Sequence, residues 1–315
     1  MSPFTLGISD QDGFTTPDLG RRRRLLDKAA AAGLAHVCVG DHISFHGGTG
    51  FDGLVSASTL LSSHERLSVI VGVYLLGLRH PMTAARQLAT LSQSAPGRLT
   101  LGVGVGGEDR REVANAGVDP RTRGRRLDES LMLVRRLLAG EEVTHDGEFF
   151  QLDRARILPS PEPRIPLVIG GKGEVAVRRA ARFGDGWLGI FCSARRFAET
   201  RTRVLETAAG LDREPPDWFG VNVWCGLDRD AARARELLAA RLEGLYRLPY
   251  DKFQHIAPAG TPERMAEFLV PFVESGAAHL TLIPVAESVE AGIEAVAEVR
   301  ELLQKHCLNG QTILR

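Results

Sequence analysis

The sequence predicts a closed (β/α)8 TIM barrel, and three observations predict it. Short apolar, β-branched runs ending in Gly or a polar residue recur along the chain, each followed by an Ala/Leu/Arg-rich helical pattern. The series is unbroken, without the linker that would divide an open doubly wound sheet into halves. At 315 residues, with 43% hydrophobic and 25% charged side chains, the chain has enough apolar material for one large α/β domain spanning 1–315.

Strands are predicted at 4–9, 35–40, 67–76, 99–106, 166–171, 186–191, 219–227 and 279–284. Helices are predicted between them at 17–33, 52–63, 81–94, 124–139, 174–183, 194–210, 230–246 and 262–276, with a last one at 288–305. Thr16-Pro17 and Thr261-Pro262 each offer an N-cap with proline at the first helical position. Gly33, Gly140 and Gly276 stand where a C-cap glycine belongs. Insertions are expected near 107–123, 141–166 and 247–260. The second contains an Asp-Gly turn between β-like runs and reads as a hairpin; the third is irregular enough to serve as a lid.

Charge and cysteine usage exclude several classes. The 39 basic and 39 acidic side chains cancel, so no polyanionic partner is indicated: no nucleic acid and no membrane surface. Arg21–Arg24 precede the apolar positions Leu25, Leu26 and Ala29 and read as a solvated helix face. The four cysteines form no Cys-x-x-Cys pair and suit buried apolar positions in a reducing compartment. The N-terminus lacks a secretory pattern, and no apolar run approaches the ~20 residues needed to span a bilayer. A cytoplasmic location is expected.

The chemistry-bearing residues gather after predicted strands. Asp41 and His42 follow the second strand, where a barrel directs polar groups into its mouth. His42 reads either as a structural histidine closing a strand or as a proton-handling group beside a carboxylate. His42 and His46 have the spacing of a helical metal pair, but "HISFHGGTG" is too glycine-rich for a helix, so no metal is assigned. "GVGVGG" (102–107) matches the dinucleotide fingerprint, yet its glycines begin inside a strand and Asp128 lies within a helical pattern. Gly170, Gly171, Lys172 and Gly173 end the fifth strand at a helix start. They read as a phosphate cradle or as a tight turn carrying an exposed lysine.

Taken together, "GDHI" (40–43), "RHP" (79–81), "GRLTLGVGVG" (97–106), "RRLDE" (125–129), "IPLVIGG" (165–171) and "RRAARFGDGW" (178–187) resemble the bacterial luciferase-like monooxygenase superfamily. Within it, the likeness is to the branch using the deazaflavin coenzyme F420. The resemblance covers roughly residues 4–190; the C-terminal third matches in rhythm only. It implies a barrel with insertions and a cofactor across the C-terminal mouth. The cofactor phosphate would lie on Gly170, Gly171, Lys172 and Gly173, and its ring beside Val105, Gly106 and Gly107. A non-prolyl cis peptide behind the ring is matched to Tyr74-Leu75, which makes both residues cofactor-binding. His42, with Asp41, would be catalytic. Two departures, Gly107 where sugar-phosphate dehydrogenases of this branch carry an acid and His46 where they carry an aromatic, speak against that substrate.

The function implied is hydride transfer between F420 and a small organic substrate. An FMN-dependent monooxygenase, fed reduced flavin by a separate reductase, is the alternative; a separate flavin or deazaflavin reductase is the partner either reading allows. A non-catalytic flavin-binding barrel and a Rossmann NAD enzyme rank below both. The resemblance also implies a homodimer or larger assembly, for which the apolar helix faces near 52–63 and 81–94 are candidates.

Overall fold

The computed structural model describes residues 4–9, 11–106 and 109–313. Eight parallel strands form the barrel: β1 (Thr5–Ile8), β2 (His36–Val39), β3 (Ser68–Tyr74), β4 (Leu99–Val103), β7 (Leu167–Gly170), β8 (Gly186–Ile190), β9 (Trp218–Leu227) and β11 (His279–Val285). The order around the sheet is β9-β11-β1-β2-β3-β4-β7-β8, and pairing of β8 with β9 closes it. This closure removes the Rossmann reading, because an open sheet with a switch point is absent. Gly102 sits inside β4, where the backbone is committed to ladder pairing with Val168 of β7.

Three further strands lie outside the eight. The expected Asp-Gly hairpin is β5 (Val143–Asp146) and β6 (Gln151–Ala155), paired antiparallel; a two-residue β10 (Ala259–Gly260) pairs with β9. Helices α1 (Gln11–Phe14), α2 (Leu19–Ala31), α3 (Gly53–Ser63), α4 (Pro81–Ser94), α5 (Arg110–Asn115), α6 (Arg123–Leu138), α7 (Glu174–Phe183), α8 (Ala194–Ala209), α9 (Ala231–Tyr246), α10 (Pro262–Glu274) and α11 (Val289–Ile313) complete the chain. No described helix is long and apolar enough to cross a membrane.

The start of α2 corrects one expectation. Its N-cap is Asp18, not Thr16: the Asp18 carboxylate accepts the Arg21 N–H at 3.0 Å, so Pro17 stands outside the helix. Thr261 and Pro262 open α10 as expected. Gly33, Gly140 and Gly276 all take positive φ at helix ends (76°, 77° and 88°).

Two compact units make up the chain. One comprises residues 39–187 and 207–217. One of its cores joins Ala85 and Ala89 of α4, Leu133 and Leu137 of α6, and Val143, Phe150 and Ile157 of the hairpin insertion. The Glu129 carboxylate of α6 accepts the N–H groups of Phe149 and Phe150 and pins that hairpin. The other unit comprises residues 1–38, 188–206 and 218–315. Here the 247–260 segment packs Tyr250, Phe253 and Ala257 onto Leu238 and Leu242 of α9. Helix α2 lies along α11, with Lys28 paired to Glu294.

Candidate active site

Every residue of the candidate site lies in the unit formed by residues 39–187 and 207–217. The site begins where β2 runs out. Asp41 is 2% exposed, and its carboxylate accepts four hydrogen bonds. Two come from backbone N–H groups, Gly53 and Leu75, both at 2.8 Å. Two come from the Arg79 guanidinium, at 2.7 and 2.8 Å. Arg79 lies 4.3 Å from the centre of the Tyr74 ring and also pairs with Asp52, the N-cap of α3. Burial pushes the Asp41 carboxyl above its ordinary value, opposed by Arg79 and the two backbone donors. Burial is also the largest influence on Arg79 and works against its charge, but Asp41, Tyr74 and Asp52 together outweigh it and hold Arg79 above its ordinary value. Asp41 thus ties the end of β2 to the start of α3 and the end of β3. All its acceptor capacity is spent within the fold.

His42 faces the other way. Its side chain is 37% exposed, and Nδ1 lies 3.1 Å from Oε2 of Glu112, a residue whose own side chain is 2% exposed on α5. Oε1 of Glu112 accepts the N–H groups of Ile43 at 2.7 Å and Ser44 at 3.1 Å. One turn earlier, at the start of α5, Asp109 accepts the His46 N–H at 3.0 Å and caps its own helix through the Arg111 N–H. Those donors, Arg111 first, hold the Asp109 carboxyl below the usual carboxylate range. The loop carrying both histidines is therefore stapled to α5 at two points. His42 and His46 each face a separate carboxylate, and no cluster of three or more metal-ligating side chains forms among the described residues.

Strand β3 supplies a platform. Its ladder with β4 is regular to Val71 and resumes at Tyr74, so Gly72 and Val73 form a bulge. The non-prolyl cis peptide is Gly72-Val73, two residues before the Tyr74-Leu75 bond to which the sequence resemblance points. The reason is visible in the ladder: Tyr74 is paired with Val103, and the unpaired residues are the two before it. Val73 is the residue that fills the space. A Cβ on Gly104 would lie 2.5 Å from one Val73 methyl, and a Cβ on Gly170 2.7 Å from the other. Glycine at both strand ends is required by this one side chain.

The other candidate residues fall into two groups. Tyr74 is 1% exposed beneath Arg79, and Leu75 is 3% exposed in a cluster with Leu78, Val113 and Val118. Their side chains present almost no surface to a ligand; the Leu75 N–H serves Asp41. Burial raises the Tyr74 hydroxyl above its ordinary value. Val105 and Gly106 are half-buried past the end of β4, while Gly107 lies outside the described residues. Gly170 is buried at the end of β7, and Gly171, Lys172 and Gly173 are exposed. Gly173 is the N-cap of α7 and brings no side chain to cap it. A helix start that its own N-cap side chain does not close is the kind at which a phosphate binds. The Trp187 indole N–H, 2.9 Å from the Gly171 carbonyl oxygen, fixes the loop from beneath.

Four residues of the site go unmarked in the sequence: Val73, Arg79, Glu112 and Trp187. Arg79 and Trp187 stand in matched segments but carry no catalytic signature. Glu112 has only one sign, an acid next to Val113 in an otherwise irregular stretch.

Comparison with known proteins shows the family of the chain. Residues 2–279 match the family described as luciferase-like monooxygenase. An F420-dependent glucose-6-phosphate dehydrogenase of Beutenbergia cavernae is 33% identical over 253 residues, 76% of this chain and 74% of that protein. A protein of the same description from Segniliparus rotundus is 27% identical over 293 residues, covering 82% of this chain and 87% of its own. Among solved structures, an F420-dependent secondary alcohol dehydrogenase bound to an F420-acetone adduct superposes with a TM-score of 0.82 at 21% identity, over 96% of this chain and 99% of its own. An EDTA monooxygenase from Chelativorans superposes at 0.73 with 17% identity, over 97% and 94%. With the family match spanning nearly the whole barrel, the chain belongs to the luciferase-like monooxygenase family.

Proposed function

We propose that this protein is an F420-dependent oxidoreductase that oxidises a small organic alcohol, with His42 handling the hydroxyl proton. The observation carrying this reading is the continuous platform from Val73 over Gly104 and Gly170 to the uncapped start of α7. The residues present fit a flat, phosphate-bearing cofactor. Val73, seated against Gly104 and Gly170, gives a ring an apolar support, and N–H groups at Gly173 and the first turn of α7 suit its phosphate. When bound, the deazaflavin supplies a carbon that accepts a hydride.

The protein's share is positioning and proton transfer. Lys172 and the α7 start would hold the phosphate, and Val105 and Gly106 would border the ring. Asp41 and Arg79 lock the β3 end behind it and are positioning residues. His42, a partly exposed imidazole just past the end of β2, is suited to accept a proton from a substrate hydroxyl. The dehydrogenases among the relatives support the cofactor assignment; Gly107 and His46 argue for a substrate other than a sugar phosphate.

Titrating the purified protein with F420 and, separately, FMN while following cofactor fluorescence tests the reading. Saturable F420 binding, followed by loss of its absorbance on addition of a panel of small alcohols, is the expected result. Tight FMN binding with none of F420 overturns it in favour of a flavin monooxygenase.

A further inference from the structure

We infer that Glu112 sets the tautomer of His42, holding the proton on Nδ1 and leaving Nε2 as the base. The inference deepens the proposed function and rests on it for the role of His42, though not for the tautomer itself.

Glu112 is buried with three hydrogen-bond donors around it and no other partner among the described residues: Ile43 N–H and Ser44 N–H on Oε1, and His42 Nδ1 nearest to Oε2. A carboxylate has no hydrogen to give, so the one shared with the imidazole belongs to Nδ1. In neutral imidazole only one nitrogen carries hydrogen, and the partner of one nitrogen fixes the state of the other. Nε2 is therefore the lone-pair nitrogen, the state needed to take a hydroxyl proton and the wrong state to donate one. The two backbone bonds matter as much as the imidazole bond. They hold Oε1 in place, so the carboxylate cannot rotate away from Nδ1 without breaking both bonds.

The arrangement makes one substitution unusually informative. In Glu112→Gln the amide oxygen takes the Oε1 position, because only an acceptor satisfies both backbone N–H groups. The amide nitrogen then occupies the Oε2 position and donates to Nδ1. The imidazole is forced into the opposite tautomer, with hydrogen on Nε2. Packing, size and the loop bonds are kept; the direction of one hydrogen bond is reversed.

The experiment uses the full chain labelled at the imidazole nitrogens, with His42→Gln to assign the resonances and pH raised until every shift is that of neutral imidazole. The expected spectrum has His42 Nδ1 pyrrole-like and Nε2 pyridine-like in the native protein, with the two exchanged in E112Q. Turnover of the F420-loaded enzyme should fall in kcat by about 10²-fold or more at unchanged KM, the scale of a lost general base. A protonated Nε2 in the native protein, or an unchanged pair in E112Q, overturns the inference. Glu112→Asp is the second variant, should the first not fold. It keeps the charge but withdraws the acceptor, so the resonances move to values averaged between the tautomers; unmoved resonances again overturn it. Failure of F420 to bind removes the proposed function alone, because the nitrogen shifts are read without cofactor.

Discussion

Replacing Arg79 by Met isolates the buried network on which the site stands. Asp41 accepts four hydrogen bonds, and the substitution removes the two charged ones at 2.7 and 2.8 Å while the Gly53 and Leu75 N–H groups remain. Removing one partner of a buried pair costs about 3–5 kcal/mol, because a charge 2% exposed is left half-satisfied. The Arg79–Asp52 ion pair disappears too; its carboxylate side is 42% exposed, and it adds less than about 1 kcal/mol. Methionine retains apolar packing against Tyr74, so packing loss is small. The effect must also depend on pH. In the native protein the folded-state Asp41 value is raised above 3.8, so folded chains bind a proton that unfolded ones release, and Asp41's contribution weakens as pH rises through that window. Taking away Arg79 removes an influence that lowers the value, so the window widens upward. The variant's deficit should be largest near neutrality and shrink as pH falls toward 3.8. Urea midpoints of both proteins at a series of pH values, followed by tryptophan fluorescence, measure this. A deficit below about 1 kcal/mol, the scale of an exposed ion pair, or one that is constant with pH, refutes the reasoning.

Two further outcomes follow from single side chains. Gly104→Ala should lower the melting temperature and F420 affinity, since the new Cβ meets a Val73 methyl at 2.5 Å; Val73→Ala in the same chain should recover much of the stability, and no recovery would show the clash lies elsewhere. His36, 3% exposed and bonded to Thr281, is pushed down from 6.5 to about 3 by burial and then by the nearby His279. The unfolded chain therefore takes up a proton first. Stability falls as pH drops below 6.5, by up to about 1.4 kcal/mol per pH unit until the folded value is reached. His36→Gln should flatten this acid limb of the stability curve, and an unchanged slope would contradict the assignment.

The barrel is legible in the sequence because its signal is local and repeated. Each strand is a short apolar run with its own stop, and the positions agree with the predicted ones to within a few residues, as for 35–40 against His36–Val39. Where the sequence misleads, the competing signal is also local. Pro17 advertises a helix start that Asp18 takes, and α5 is hidden because its six residues carry one strongly apolar position, Val113. A cis peptide at the end of β3 is expected, yet at Tyr74-Leu75 and not at Gly72-Val73. Nothing in "VGVYLL" states which pair leaves the ladder; the Val73 methyls, seated over Gly104 and Gly170, decide it.

The adjacent pair after β2 shows why residue type is easier to read than role. Asp41 and His42 look like one catalytic unit in sequence, but the backbone sends them to opposite duties. Asp41 is consumed by Gly53, Leu75 and Arg79, and its value lies in fixing three strand and helix ends. His42 takes its carboxylate partner from Glu112, 70 residues away, rather than from its neighbour. A buried acid needs donors, and an imidazole with a defined tautomer needs one acceptor; α5 meets both needs with a single side chain. On the proposed role of His42, how α5 is held would govern the proton chemistry of this site. Gly107, two residues before Asp109, departs from the pattern of sugar-phosphate dehydrogenases, and Asp109 and Glu112 together set the His42–His46 loop.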